Sequence, residues 1–312
     1  MSSVIAEGAR FFGDSRPSSV FLPSWLRYMR MTATAALYTS SGFAIAADGR
    51  RSWKYAATAV SREGVSDSVQ KIFQLVSSGG VFAYCIRGAT VNENLSWDIA
   101  TELAAGTSSV RSKQFSSAKK YLGALCGDLA MRMESAKTVG ILDGFPTSEI
   151  SFLGYFHSRP CWIEAQFRPV NGRLFYRLVA QECEPGCHLV SGSEVLDRMI
   201  RDCDYRMRHL FEGFNGEDTP LGKAVESVTQ YIQACCSTLI RGLDPDSEKR
   251  IGGQIHVAIV TPDSRRLLSR LLDRRQEEKG GFEWIVPPIS RVSSAPYLPW
   301  LRLYDAEQRS WS

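Results

Sequence analysis

Ordered patterning of apolar and polar positions begins at Thr32; residues 1–30 show none that is sustained. Phe11 to Ser19 reads as a loop, and Pro23-Ser24-Trp25-Leu26 as the start of a short helix. Thr34 to Tyr38 and Phe43 to Ala47 read as two short strands, and Ser40-Ser41-Gly42 between them is turn chemistry, so the pair predicts a hairpin. After a polar stretch from Gly49 to Asp67, Ile72 to Val76 and Val81 to Ile86 read as a second strand pair across a Ser-Gly-Gly turn. Leu95 to Ala105 fits a helix. In Ser116 to Glu134, the residues Ala118, Leu122, Leu125, Leu129 and Met133 recur at steps of three and four, the period of an amphipathic helix.

Four strand-like segments follow: Ile150 to Phe156, Cys161 to Phe167, Leu174 to Ala180 and His188 to Ser191, with Asn171-Gly172 as a hairpin turn. Glu194 to Phe211 and Leu221 to Ile240 read as helices, Gln254 to Val260 as a strand. Beyond Pro262 lie an Arg-rich helical pattern, the run Trp284-Ile285-Val286 and a Pro-rich end. Strands and helices thus come in blocks. That order predicts an α+β chain with sheets packed face to face and helices outside.

Composition narrows the classes. With 312 residues, 44% hydrophobic and 22% charged, the chain is of ordinary globular make-up, and collagen-like and wholly disordered classes fall away. A net charge of +4 is too mild to argue for nucleic acid. No run of about 18 apolar residues occurs, so no membrane span is expected. The first 30 residues lack an apolar segment of signal-peptide type, and the expectation is a cytoplasmic protein. Eight irregularly spaced cysteines then read as small buried hydrophobes.

Candidate chemistry concentrates in Met31-Thr32-Ala33-Thr34-Ala35-Ala36-Leu37-Tyr38-Thr39-Ser40-Ser41-Gly42-Phe43-Ala44-Ile45-Ala46-Ala47-Asp48-Gly49-Arg50. This stretch resembles the start of mature catalytic subunits of the proteasome family and of bacterial proteasome-related peptidases. There a threonine opens the chain, a strand, a glycine turn and a second strand follow, and the second strand ends in small-small-Asp-x-Arg. Thr32 and Asp48 match that spacing without a gap, Gly42 takes the turn glycine and Arg50 the arginine. The resemblance implies a four-layer αββα sandwich of the N-terminal-nucleophile (Ntn) hydrolase type.

The chemistry has a physical logic. A threonine hydroxyl is a weak nucleophile at neutral pH and needs an adjacent base. A free α-amine, with a pKa near 8, can serve if the threonine is residue one. A lysine held by an aspartate supplies a positive field that lowers the pKa of both groups. By resemblance Lys71 is that lysine, Gly88 offers the oxyanion N–H, and Ser191, in Val190-Ser191-Gly192-Ser193, supports the amine. The Asp48-to-Lys71 separation implies an insertion within 51–67, and Lys54 is the competing lysine in that polar stretch. Ile251-Gly252-Gly253-Gln254-Ile255-His256-Val257 resembles the family's glycine pair entering a late strand. Here, however, Glu248 stands near the aspartate place and Ile251 at the serine place, with Asp246 and Ser247 out of register.

Duller readings stand beside these. Thr32 can be a strand's first residue, Asp48 and Arg50 an exposed ion pair of little worth, Lys71 a solvated strand end, and Ser191 part of a helix cap. Cys183, Cys187 and His188 make too few ligands for zinc. Cys235-Cys236 reads as core or interface. The arginines of 265–275, interleaved with leucines, read as an amphipathic packed or subunit-contacting helix.

Residues 1–31 are then a propeptide removed at Met31-Thr32, a mis-assigned extension upstream of an initiator Met31, or a segment that stays attached and silences the amine. The expected organisation is 1–31, a catalytic domain 32–262, and a C-terminal extension 263–312. The expected function is hydrolysis of peptide amide bonds with Thr32 as nucleophile. The alternatives are an inactive structural subunit of the same fold, or a small-amide hydrolase. The resemblance implies a polypeptide or small-amide substrate and no metal or cofactor. It implies a ring or other homo-oligomer and leaves any ATPase partner open. It places substrate-pocket residues near Ile86 and within Arg50–Lys54.

Overall fold

The computed structural model describes residues 32–57, 60–67, 69–77, 79–88, 97–110, 113–142, 144–145, 147–201, 219–245, 250–262 and 281–286. The chain is α+β, with two five-stranded antiparallel sheets. The first sheet has the order β10-β1-β2-β11-β12, formed by β1 (Thr34–Thr39), β2 (Gly42–Asp48), β10 (His188–Ser191), β11 (Ile255–Val260) and β12 (Phe282–Val286). The second runs β5-β6-β7-β8-β9, formed by β5 (Ile72–Val76), β6 (Gly80–Gly88), β7 (Ser148–Phe156), β8 (Arg159–Val170) and β9 (Arg173–Gln181). A separate two-stranded hairpin, β3 (Arg51–Ala57) with β4 (Val60–Ser66), occupies the polar stretch where an insertion is expected. The described helices are α1 (Ile99–Val110), α2 (Ala118–Thr138), α3 (Glu194–Arg201), α4 (Leu221–Cys235) and α5 (Thr238–Leu243).

Three apolar clusters organise these elements. Leu103, Leu122, Leu125 and Leu129 of α1 and α2 pack with Phe82, Tyr84, Phe152 and Ile163 of the second sheet. Leu196, Ala224, Val228 and Ile232 of α3 and α4 pack with Ala35, Ala46 and Val257 of the first sheet. Ala36, Phe43, Ile45 and Ala258 of the first sheet meet Ile72, Ala83, Cys85 and Leu153 of the second. β1 and β2 therefore bury both faces, which is why their sequences read as near-continuous apolar runs. Cys183 and Cys187 pack against the third of these clusters.

Local chemistry explains the joints. Ser117 caps α2, its side chain accepting from Lys120 N–H, an arrangement worth about 1 kcal/mol. Asn171 and Gly172 take φ of 50° and 75°, as a two-residue primed turn between β8 and β9 requires. The single helix expected over Leu221 to Ile240 is two: the Ser237 hydroxyl accepts the Ile240 N–H and starts α5 afresh. The helix expected over Glu194 to Phe211 is described as far as Arg201, and the Arg-rich pattern at 265–275 lies outside the described residues. Among the described residues no helix is long and apolar enough to cross a membrane.

Gly154 of β7 sits opposite Phe82 on β6. A Cβ there would meet the Val81 carbonyl oxygen and come within 2.7 Å of Phe82 Cα, both main-chain atoms. Gly154→Ala is expected to destabilise the fold by about 3 kcal/mol, the upper end for overpacking. Urea denaturation checks it, and a loss below about 1 kcal/mol would contradict the packing.

Candidate active site

The hairpin β1–β2 is in register from Thr34 opposite Ala47 to Thr39 opposite Gly42. The pairing extends one step further, because Asp48 N–H donates to Ala33 C=O at 3.1 Å. The fully buried Asp48 carboxylate therefore stands beside the chain that carries Thr32, itself buried.

Four donors converge on that carboxylate. Oδ1 accepts from Ala33 N–H at 2.8 Å and from Lys71 Nζ at 2.7 Å. Oδ2 accepts from Gly252 N–H at 3.0 Å and Arg50 N–H at 3.1 Å. The Lys71–Asp48 pair is 8% and 0% exposed, so its two charges are largely removed from water. Such a pair is held by its geometry and hydrogen bonds, and removing one partner costs far more than an exposed pair is worth.

Lys71 Nζ meets Asp48, and Lys54, the competing lysine, stands on β3 opposite Glu63 in the separate hairpin. Arg50 contributes its main-chain N–H to Asp48. Its guanidinium forms a two-pronged pair with Asp67, Nε to Oδ1 at 2.6 Å and Nη2 to Oδ2 at 3.0 Å. The Arg50 hydrogen bond holds the Asp67 carboxyl below its ordinary range. Asp67 in turn uses its carbonyl to accept Gln254 N–H at 2.8 Å, fixing the returning end of the β3–β4 hairpin beside Gly252 and Gly253.

Ser191 ends β10 directly opposite Thr34. Its buried Oγ and that of Thr34 have no hydrogen-bond partner among the described residues. Gly192 follows close against the hairpin, where a Cβ would come within 3.3 Å of Ala33 Cβ. Ser193 donates to Asp244 Oδ2 at 2.8 Å and accepts from Leu196 N–H, so the capping role falls on Ser193. Gly88 closes β6 at φ +93°, a conformation that suits glycine, paired with Ser148. Ile251 is packed in the cluster between the first sheet and its helices, and 246–249 lie outside the described residues. The structure thus joins Asp48, Lys71, the Arg50 main chain and the residue following Thr32 through direct hydrogen bonds. It places Ser191 on the strand beside them and Gly88 at the end of β6.

Two participants carried no signal of their own in sequence, Asp67 and His256, while Gly252, one of the glycine pair singled out there, supplies its N–H to Asp48. His256, on β11 opposite Ala47, is fully buried. Burial holds its pKa below the ordinary imidazole value, and Lys71 acts in the same direction. Unfolding restores the ordinary value, so the unfolded chain takes up the proton first as pH falls. Stability is therefore expected to be full above about pH 6.5 and to drop as pH falls below it, levelling off once the folded-state pKa is passed. Chemical denaturation at several pH values checks this, with His256→Gln expected to flatten that part of the profile. Cys236, half-buried beyond α4, has its thiol pushed up by burial, and the Asp48 carboxylate adds to the shift.

Comparison with known proteins corrects the family resemblance. No family model matches the chain, and no curated protein matches it. Among solved structures, the helical assembly of the Anbu complex from Pseudomonas aeruginosa is similar over 90% of this chain and 95% of that one, at 12% identity and a TM-score of 0.46. A likeness at that level does not carry the argument. Membership of the proteasome family, suggested by Met31 to Arg50, is thus not upheld. Twenty residues are enough to specify a hairpin with an aspartate at its end, and too few to establish kinship.

Proposed function

We propose that the chain is a hydrolase of amide bonds in which Thr32, with its α-amine exposed, is the nucleophile. The reading rests chiefly on the Asp48 carboxylate, which gathers Lys71 Nζ and the Ala33 N–H at the Thr32 end of β1. In this reading Thr32 Oγ attacks the substrate carbonyl while the α-amine takes the hydroxyl proton and then passes it to the leaving amine as the C–N bond breaks, giving an acyl ester on Thr32. The acyl ester is then hydrolysed by water activated by the same amine. The Lys71 ammonium, fixed by Asp48, supplies the positive field that favours the neutral amine and the developing oxyanion. Ser191 orients the amine and Gly88 N–H faces the oxyanion. Arg50 ties the aspartate to the β3–β4 hairpin through its main chain and Asp67.

The α-amine must be free, so residues 1–31 have to be absent in the working protein. The chain then divides into 1–31, a catalytic unit over 32–262, and an extension over 263–312. The three apolar clusters support a four-layer arrangement, helices–sheet–sheet–helices, with Thr32 at one end of the first sheet. Assembly into a homo-oligomer belongs to the same reading. The exposed Val170 and Phe175 at the β8–β9 edge of the second sheet supply apolar surface for it, and sedimentation tests it.

Ile251 favours a second reading. Its apolar side chain stands where a supporting serine is expected, which suits a subunit of the same fold that holds its shape without turnover. The deciding experiment is hydrolysis of fluorogenic peptides and small amides by a chain whose first residue is Thr32. Turnover supports the hydrolase, and the better substrate class names the amide. No turnover by a folded chain with an exposed Thr32 amine leaves the structural subunit.

A further inference from the structure

Lys71 lies just before β5, outside any regular ladder, yet its ammonium must reach Asp48 across the gap between two sheets. We infer that His256 is the positioning residue for Lys71: its Nε2–H, donated to the Val69 carbonyl, fixes the stretch that delivers the ammonium to Asp48. The kinetic consequence rests on the hydrolase reading above, whereas the placement of Lys71 is tested independently of it.

Among the described residues, three tethers join the main chain of 67–69 to neighbouring segments. Gln254 N–H donates to Asp67 C=O at 2.8 Å, and Val69 N–H donates to Gly49 C=O at 2.9 Å. The third and nearest to Lys71 is the Val69 carbonyl, 2.9 Å from His256 Nε2, and it alone of the three is held by a side chain. Because a carbonyl only accepts, Nε2 carries the proton and Nδ1 is the bare nitrogen. His256 is anchored opposite Ala47, the residue before Asp48. The carboxylate and the ring that places its partner thus ride on the same two strands, β2 and β11.

The choice of residue has a physical reason. The position is fully buried and needs a rigid donor with the reach of an imidazole Nε2. A lysine or arginine there would put a second permanent charge beside Lys71. A neutral imidazole donates without one, and its burial keeps it neutral. A long lysine stem gains its accuracy from where its own main chain is held. A shift of about 1 Å at a charged catalytic neighbour can cost on the order of 100-fold in rate.

The test compares His256→Gln, which places an amide donor where Nε2 stood, with His256→Asn, whose shorter amide stops near the Nδ1 place. Reductive methylation followed by peptide mass spectrometry reads how firmly Lys71 is held. Lys71 is expected to react slowly in the wild type and within about threefold of that rate in His256→Gln. In folded His256→Asn it is expected to react at least tenfold faster. In an active protein kcat falls about 10- to 100-fold in His256→Asn with KM little changed, and His256→Gln restores most of it. Nitrogen NMR of the wild-type ring, which needs no variant, is expected to show the proton on Nε2. A ring protonated on Nδ1, or Lys71 labelling unmoved in folded His256→Asn, overturns the inference. A wild-type chain begun at Thr32 that labels as expected but hydrolyses nothing removes the hydrolase reading and leaves the positioning role standing.

Discussion

Asp48→Asn is expected to lower stability by about 3–5 kcal/mol, the cost of leaving one member of a buried ion pair uncompensated. For a domain of this size that corresponds to a fall in thermal midpoint of roughly 10 °C. The carboxylate accepts from Lys71 Nζ, Ala33 N–H, Gly252 N–H and Arg50 N–H. An asparagine keeps one accepting oxygen and turns a donor toward two of these donors. The Lys71 ammonium then stays buried without its counter-charge, or sheds its proton at comparable cost. The double variant Asp48→Asn with Lys71→Met separates charge from shape. It removes both charges, so it is expected to recover much of the single variant's loss, with a coupling energy of at least about 1 kcal/mol. Both variants should lose amide hydrolysis if Lys71 supplies the field at Thr32. A single variant within 1 kcal/mol of wild type would mean that the pair is solvated in solution and cannot tune a nucleophile.

What the sequence made legible follows the range of the interactions. β1 and β2 were readable because a hairpin is local: Gly42 and Thr39 close the turn between them, with Thr39 Oγ1 donating to the Gly42 carbonyl at 3.0 Å. The sixteen-residue step from Thr32 to Asp48 is a property of the same hairpin. α2 was readable from its stripe of leucines. The β3–β4 hairpin was not, because Arg51 to Ser66 mixes charged, aromatic and small residues without an apolar face to mark the period. The break at Ser237 was hidden because apolar residues continue across it, and only the hydroxyl's cap bond reveals a second helix.

At the site, the pairing of Asp48 with Lys71 was reachable only through a resemblance, and that resemblance does not hold as kinship. The geometry nevertheless joins the two residues. A carboxylate at the end of a buried strand must be satisfied by whatever donors the fold brings to it. Those donors come from far away in sequence: Gly252 is 204 residues from Asp48, and His256 is 187 from Val69. No periodicity encodes such separations. A single histidine on an apolar strand reads as core, and only the Val69 carbonyl shows what it does.

Thr32→Ala is expected to abolish both events assigned to the hydroxyl, at little cost to the fold. In a chain begun at Met1, the proposed release of residues 1–31 proceeds by attack of Thr32 Oγ on the Met31 carbonyl. The acyl group moves from nitrogen to oxygen, and water then cleaves the ester, leaving a Met31 carboxylate and a free Thr32 amine. Without the hydroxyl neither step occurs, and intact mass spectrometry should find the full chain. Turnover of amide substrates should drop by at least about 1000-fold, as when a covalent nucleophile is removed. Thr32→Ser keeps the oxygen and loses the methyl group that restrains its rotamer, so it should process and turn over at a reduced rate. The stability change for either variant should stay within about 1 kcal/mol, because the carboxylate network around Asp48 uses the Ala33 N–H and not the Thr32 side chain. Loss of residues 1–31 in both wild type and Thr32→Ala would assign the cleavage to another protease, and turnover would then have to be measured on the trimmed chain. Equal turnover by trimmed wild type and trimmed Thr32→Ala would remove Thr32 as the nucleophile. An intact wild-type chain that becomes active only when begun at Thr32 would instead mean that exposure of the amine, rather than self-cleavage, is the step that turns this site on.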